Sequence, residues 1–140
     1  PPIPLYYSQL FPATEVGGPL VLSPKHRVTV TGAYTLPLDD SIGQITLGAT
    51  FTHTDKNPST SPEASPLLYM IKKSDLLNLN ADWKGVMGLP VDVAFFMTNV
   101  TNEARILFPT QSWATFGGDG GHVNEPRTWG VRLKYRFGGE

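Results

Sequence analysis

Arg127 to Phe137 reads RTWGVRLKYRF, and this alternation decides the fold. Trp129, Val131, Leu133, Tyr135 and Phe137 fall on one side of an extended chain; Arg132, Lys134 and Arg136 fall on the other. Successive side chains of a strand point to opposite faces, so a period of two marks a strand with one apolar and one charged face. The same pattern recurs upstream. In Lys25 to Leu36 (KHRVTVTGAYTL), Val28, Val30, Tyr34 and Leu36 oppose Arg27, Thr29, Thr31 and Thr35. In Gln44 to Asp55 (QITLGATFTHTD), Ile45, Leu47, Ala49 and Phe51 oppose Thr46, Thr50, Thr52 and Thr54. Asp75 to Trp83 sets Leu77, Leu79, Ala81 and Trp83 against Asn78, Asn80 and Asp82. Val91 to Thr101 sets Val91, Val93, Phe95 and Met97 against Asp92, Ala94 and Thr98.

These segments predict an all-β chain, an antiparallel meander of about five long strands with no convincing helix. Residues 1–24, rich in proline and glycine, are an irregular lead-in or outside loop; 25–137 hold the strands; 138–140 are a tail. The strands run to about 9–12 residues, against a usual ~5–6 in soluble sheets. A tilted membrane-spanning strand needs ~9–11.

Composition narrows the classes. The 140 residues are 40% hydrophobic and only 16% charged, with 14 glycines, 13 prolines and no cysteine. Disulfide scaffolds and cysteine zinc sites are excluded. A net charge of −1 gives no field to attract nucleic acid or an anionic membrane surface. No apolar run is long enough for a transmembrane helix, and 11% aromatics with low charge argue against disorder. The chain begins Pro1-Pro2 without Met or a basic-then-apolar leader, which points to a removed leader or a piece of a longer protein.

Two patterns point to a membrane barrel. The links after the first and third strands (37–43 and 84–90) are short, while those after the second and fourth (56–74 and 102–126) are long. In a meander this puts the short turns on one side and the long loops on the other, as in outer-membrane barrels. Tyr34, Trp83, Tyr135 and Phe137 lie on the apolar face at the short-turn ends of their strands, as an aromatic girdle requires. Five strands do not close a barrel, for single-chain barrels start near ~8. Open edges are not tolerated in hydrocarbon, so further strands are required.

The closing segment, Pro126 to Phe137, resembles the C-terminal strand of TonB-dependent receptors of Gram-negative outer membranes. It is also similar to the C-terminal assembly signal of outer-membrane proteins, carried here by Thr128, Gly130, Leu133, Tyr135 and Phe137. Leu76 to Trp83 (LLNLNADW) and Thr98 to Glu103 (TNVTNE) resemble the strand and the strand-end element that precede it, and Ser23 to Tyr34 resembles an earlier barrel strand. The resemblance covers roughly 22–137. It implies the last five strands of a plugged barrel of about 22, in a family that imports bulky scarce solutes such as siderophores, cobalamin or saccharides. It further implies an outer-membrane location. The implied partners are outer-membrane lipid, the rest of the barrel and its plug, TonB and the barrel-assembly machinery, with no nucleic acid. The plug and TonB-pairing segment are absent from the sequence, and Gly138-Gly139-Glu140 extends past the aromatic where the family usually stops. This stretch alone is therefore not competent for transport.

The remaining chemistry is sparse. Asn99-Val100-Thr101 matches a glycosylation acceptor but reads as a strand end. Gly117 to His122 (GGDGGH) lacks the Lys-Ser/Thr of a P-loop, and as one unit of a calcium-binding glycine repeat it has no neighbour; it reads as a loop tip. His26, His53 and His122 show no metal-ligand spacing. Asp39-Asp40 reads as turn chemistry. No Gly-x-Ser-x-Gly or His-Glu-x-x-His occurs, so no enzyme and no cofactor are expected. Arg132, Lys134 and Arg136 either guide an anionic ligand or face a solvated lumen. Phe108, Trp113 and Phe116, in a long outside loop, are the candidates for stacking on a ligand ring. The alternative is a soluble lipocalin-like β domain with an apolar ligand among Val28, Val30, Phe51, Leu79, Phe95 and Leu133.

Overall fold

The computed structural model describes residues 17–60, 65–110 and 112–138. Most of the proline-rich lead-in (1–16), residues 61–64 of the first long loop and the last two tail residues lie outside it.

The chain is all-β, and its main sheet is the expected five-stranded antiparallel meander. The strands are β1 (Arg27–Thr35), β2 (Gln44–Thr54), β3 (Asn57–Pro58), β4 (Met70–Ile71), β5 (Ser74–Lys84), β6 (Val91–Thr98), β7 (Ile106–Thr110), β8 (Gly120–Val123) and β9 (Thr128–Tyr135). The large sheet runs β1-β2-β5-β6-β9, and β3-β4 and β7-β8 are separate two-stranded ribbons. The fourth strand of the meander ends at Thr98 rather than at Thr101, because Asn99 turns into the left-handed region at φ +49°. Phe137 lies two residues beyond the end of β9. Both long links hold structure that the alternation did not reveal: β3 and β4 in the first, and β7, a single helical turn α1 (Trp113–Phe116) and β8 in the second.

Contacts divide the chain into two units. The sheet unit is Thr29–Thr52, Asp75–Glu103 and the stretch from Glu125 onward. On its polar face three threonine pairs tie β1 to β2: Thr29–Thr52 at 3.4 Å, Thr31–Thr50 at 3.2 Å and Thr35–Thr46 at 3.0 Å. Cross-strand hydroxyl pairs of this kind fix register, since a slip of one residue would turn each strand over. The two short links meet. Ile42 O accepts both the Trp83 indole N–H at 2.9 Å and the Met87 N–H at 3.1 Å. Gly43, at φ +94°, lies so close that a Cβ there would be 2.3 Å from Gly85 O, so only glycine fits.

The loop unit gathers the described parts of 1–28 with His53–Ser74 and Ala104–Asn124. Its interior is polar: Thr54, Asn57, Ser59, Thr60 and Ser65 are buried. The Asp119 carboxylate accepts from the Ser65 hydroxyl at 2.5 Å and from the Trp113 N–H at 3.2 Å, so it ties together two segments distant in sequence. Ile71 is the one buried hydrophobic side chain among the described residues.

Candidate functional site

The apolar face of the sheet is the most unusual feature of the molecule. Register places Leu79, Met97 and Trp129 in one row, Ala81, Phe95 and Val131 in the next, then Trp83, Val93 and Leu133, with Val91 beside Tyr135. The odd-numbered residues of β9 thus form one face, as their alternation requires. No described residue covers this face at β9: Trp129, Val131 and Leu133 are 66%, 61% and 70% exposed. A sheet in water ordinarily buries one face against another layer. Here the described residues supply no such layer.

The girdle candidates sit at the short-turn ends of their strands. Tyr34 and Tyr135 are exposed. Trp83 keeps its ring on the apolar face while its N–H is anchored on the turn at Ile42. Phe137 is exposed and meets Tyr135 edge-on at 4.5 Å. Trp129 marks the opposite end of β9 on the same face. The alternation alone places this aromatic on the apolar face.

The other face is mostly polar, and one large ring stands out on it. Asp82, Ala94 and Arg132 form a row, and Asp92 pairs with Lys134. Asp82, Lys84, Asp92, Arg132 and Lys134 line a shallow concavity on it. Asp92 Oδ1 accepts from Arg136 Nη2 at 3.0 Å and from the Gly85 N–H at 2.9 Å. The cations of β9 therefore stand among carboxylates, an arrangement that suits a hydrated wall better than an anion guide. That ring is Phe96, which lies across Gly130: a Cβ at Gly130 would come within 2.6 Å of Phe96 Cζ. The ring-on-glycine contact depends on register between strands that lie far apart in sequence, so local alternation does not mark it.

At the long-loop end, the strand-end element folds into a hub. Asn99 is 5% exposed. Its Nδ2 donates to Glu103 O at 2.9 Å and Glu125 O at 3.0 Å, and its Oδ1 accepts from the Glu103 N–H at 2.9 Å. Its own N–H donates to Asn78 Oδ1 at 2.9 Å. Asn102, also left-handed at φ +54°, accepts from the Arg127 N–H at 2.9 Å. The two asparagines join the end of β6 to β5 and to the approach to β9. Asn99 has both amide hydrogens engaged and is buried, so it is a structural residue rather than a glycan acceptor.

Of the assembly-signal residues, Thr128 turns its hydroxyl to Pro126 O at 3.1 Å. Gly130 receives the Phe96 ring, and Leu133 and Tyr135 stand exposed on the apolar face. The ligand-loop candidates lie on two elements. Phe108 is on β7 beside His122, whereas Trp113 and Phe116 are on α1, with Phe116 83% exposed. The interior that a lipocalin-like ligand would need is not enclosed: Val28, Val30, Phe51, Leu79 and Leu133 are all exposed. Among the described residues no three His, Asp or Glu gather as a metal site. Nor is any helix there long and apolar enough to cross a membrane. No family model, curated protein or solved structure matches this chain.

Proposed function

We propose that this chain forms part of the wall of a transmembrane β-barrel, in an outer-membrane receptor of the TonB-dependent class that takes up a bulky, scarce solute. The observation that carries this reading is the bare apolar face of a long-stranded, register-locked sheet. In lipid such a face needs no second layer, and the hydrated polar face with its paired charges suits a lumen. From Trp129 to Phe137 the chain extends roughly 27 Å at ~3.4 Å per residue. A tilt of about 40° projects this to ~20 Å, close to the ~25 Å apolar band of such barrels. Short turns at one end, long loops at the other and aromatics at the turn end support the same orientation. The role is non-catalytic, and strands beyond these five close the barrel.

Refolding the chain with and without detergent micelles tests this reading. Circular dichroism and light scattering are expected to show aggregation in plain buffer, with β structure in a dispersed state confined to micelles. A β-rich monomer in plain buffer would overturn it, because the bare face would then be tolerated by water.

A further inference from the structure

The loop unit contains an apolar crevice that the wall reading does not use. Leu67, Met70 and Ile71, from the segment that forms β4, face Ile106 and Val123 of the β7-β8 ribbon across a cavity of about 300 Å³. That volume lies at the lower end of small-ligand pockets. Of its lining, Ile71 is buried, whereas Leu67 and Val123 are 67% and 62% exposed. Lys72 also lines it.

The charges around the crevice favour one kind of occupant. Both described carboxylates of the loop unit are engaged elsewhere: Asp55 accepts from His53 at 3.1 Å, and Asp119 holds Ser65 and Trp113. Lys72 has no carboxylate partner among the described residues. Over its whole sequence the loop unit carries six Lys/Arg against four Asp/Glu, while the sheet unit carries five against eight. An apolar slot lined by a lysine that no described carboxylate engages matches a ligand with a short hydrocarbon chain and one negative charge. We infer that this crevice binds a single-chain amphipathic carboxylate, its chain among Met70, Ile71, Ile106 and Val123 and its head at Lys72. The inference stands apart from the membrane reading, since it concerns the loop unit alone.

The test uses the whole chain in micelles, with methyl NMR of Met70, Ile71, Ile106 and Val123 during titration with octanoate, octanol and octylammonium. The methyls of Val131 and Leu133, on the bare sheet face, report general partitioning into the micelle. The expected result is saturable shifts at the crevice methyls. Octanoate should bind about two- to fivefold more tightly than octanol, the scale of one exposed ion pair, and octylammonium more weakly than either. Lys72→Gln should erase the octanoate advantage while leaving octanol binding unchanged, and Val123→Trp, a change at an exposed position, should remove the shifts for all three. Crevice methyls that move only in step with Val131 and Leu133 would overturn the inference. So would an octanoate-to-octanol ratio that Lys72→Gln leaves unaltered.

Discussion

Asn99 concentrates the polar organisation of the sheet unit in one side chain. Its amide donates to the Glu103 and Glu125 carbonyls and accepts from the Glu103 N–H where β6 ends. Asn99 itself is buried, and breaking a buried hydrogen-bonded group costs about 1–3 kcal/mol. Asn99→Ala is therefore expected to lower the unfolding stability of a complete barrel by ~2–4 kcal/mol, measured from the denaturant midpoint, with Val100→Ala at the neighbouring position as the mild control. Gly130 makes a different demand. Gly130→Ala forces the Phe96 ring aside, and Phe96→Ala removes the obstacle. The double variant is thus expected to be less destabilised than the two single effects added together, and a cycle of the four proteins reads the difference. Strict additivity would mean that the ring does not rest on the glycine. The sequence showed Asn99 as a strand end and Gly130 as a position of note. It did not show the partners, because Glu125 and Phe96 are set by register and not by local spacing.

The long strands were legible because a period of two over nine or more residues has few competing explanations. Their ends were less so: β6 stops where Asn99 adopts a positive φ, and a left-handed asparagine inside an alternating run leaves no mark on the alternation. The ribbons β3-β4 and β7-β8 were hidden for another reason. They are two to five residues long, and Pro109 within β7 argues against a strand by composition alone. The face assignment is tested within β9. In a complete barrel, Leu133→Arg places a charge on the apolar face and is expected to cost ~2–4 kcal/mol near the bilayer midplane. Arg132→Ser, one residue away on the polar face, should cost well under half as much. Refolding yield and denaturant midpoint in lipid vesicles measure both, and equal tolerance would mean that the faces are exchanged.

At the scale of the whole molecule, the described residues form no hydrophobic core. Ile71 alone among the described hydrophobic side chains is buried, while the sheet leaves Val131 and Leu133 open. A water-soluble domain draws most of its stability from apolar burial, and this sheet instead presents its apolar residues outward in rows. The alternation foretold two unlike faces, but it could not say which would be covered. That depends on the layer beside the sheet and not on the strands themselves.

The most direct test of a lipid-facing sheet uses the absence of cysteine. Single cysteines at each position from 129 to 135 of a complete barrel that carries these strands, labelled with an environment-sensitive fluorophore and reconstituted with brominated lipid, report lipid contact residue by residue. The expected result is strong quenching at 129, 131, 133 and 135 and weak quenching at 130, 132 and 134. Quenching that is uniform, absent, or stronger at the even positions would contradict a lipid-facing apolar wall.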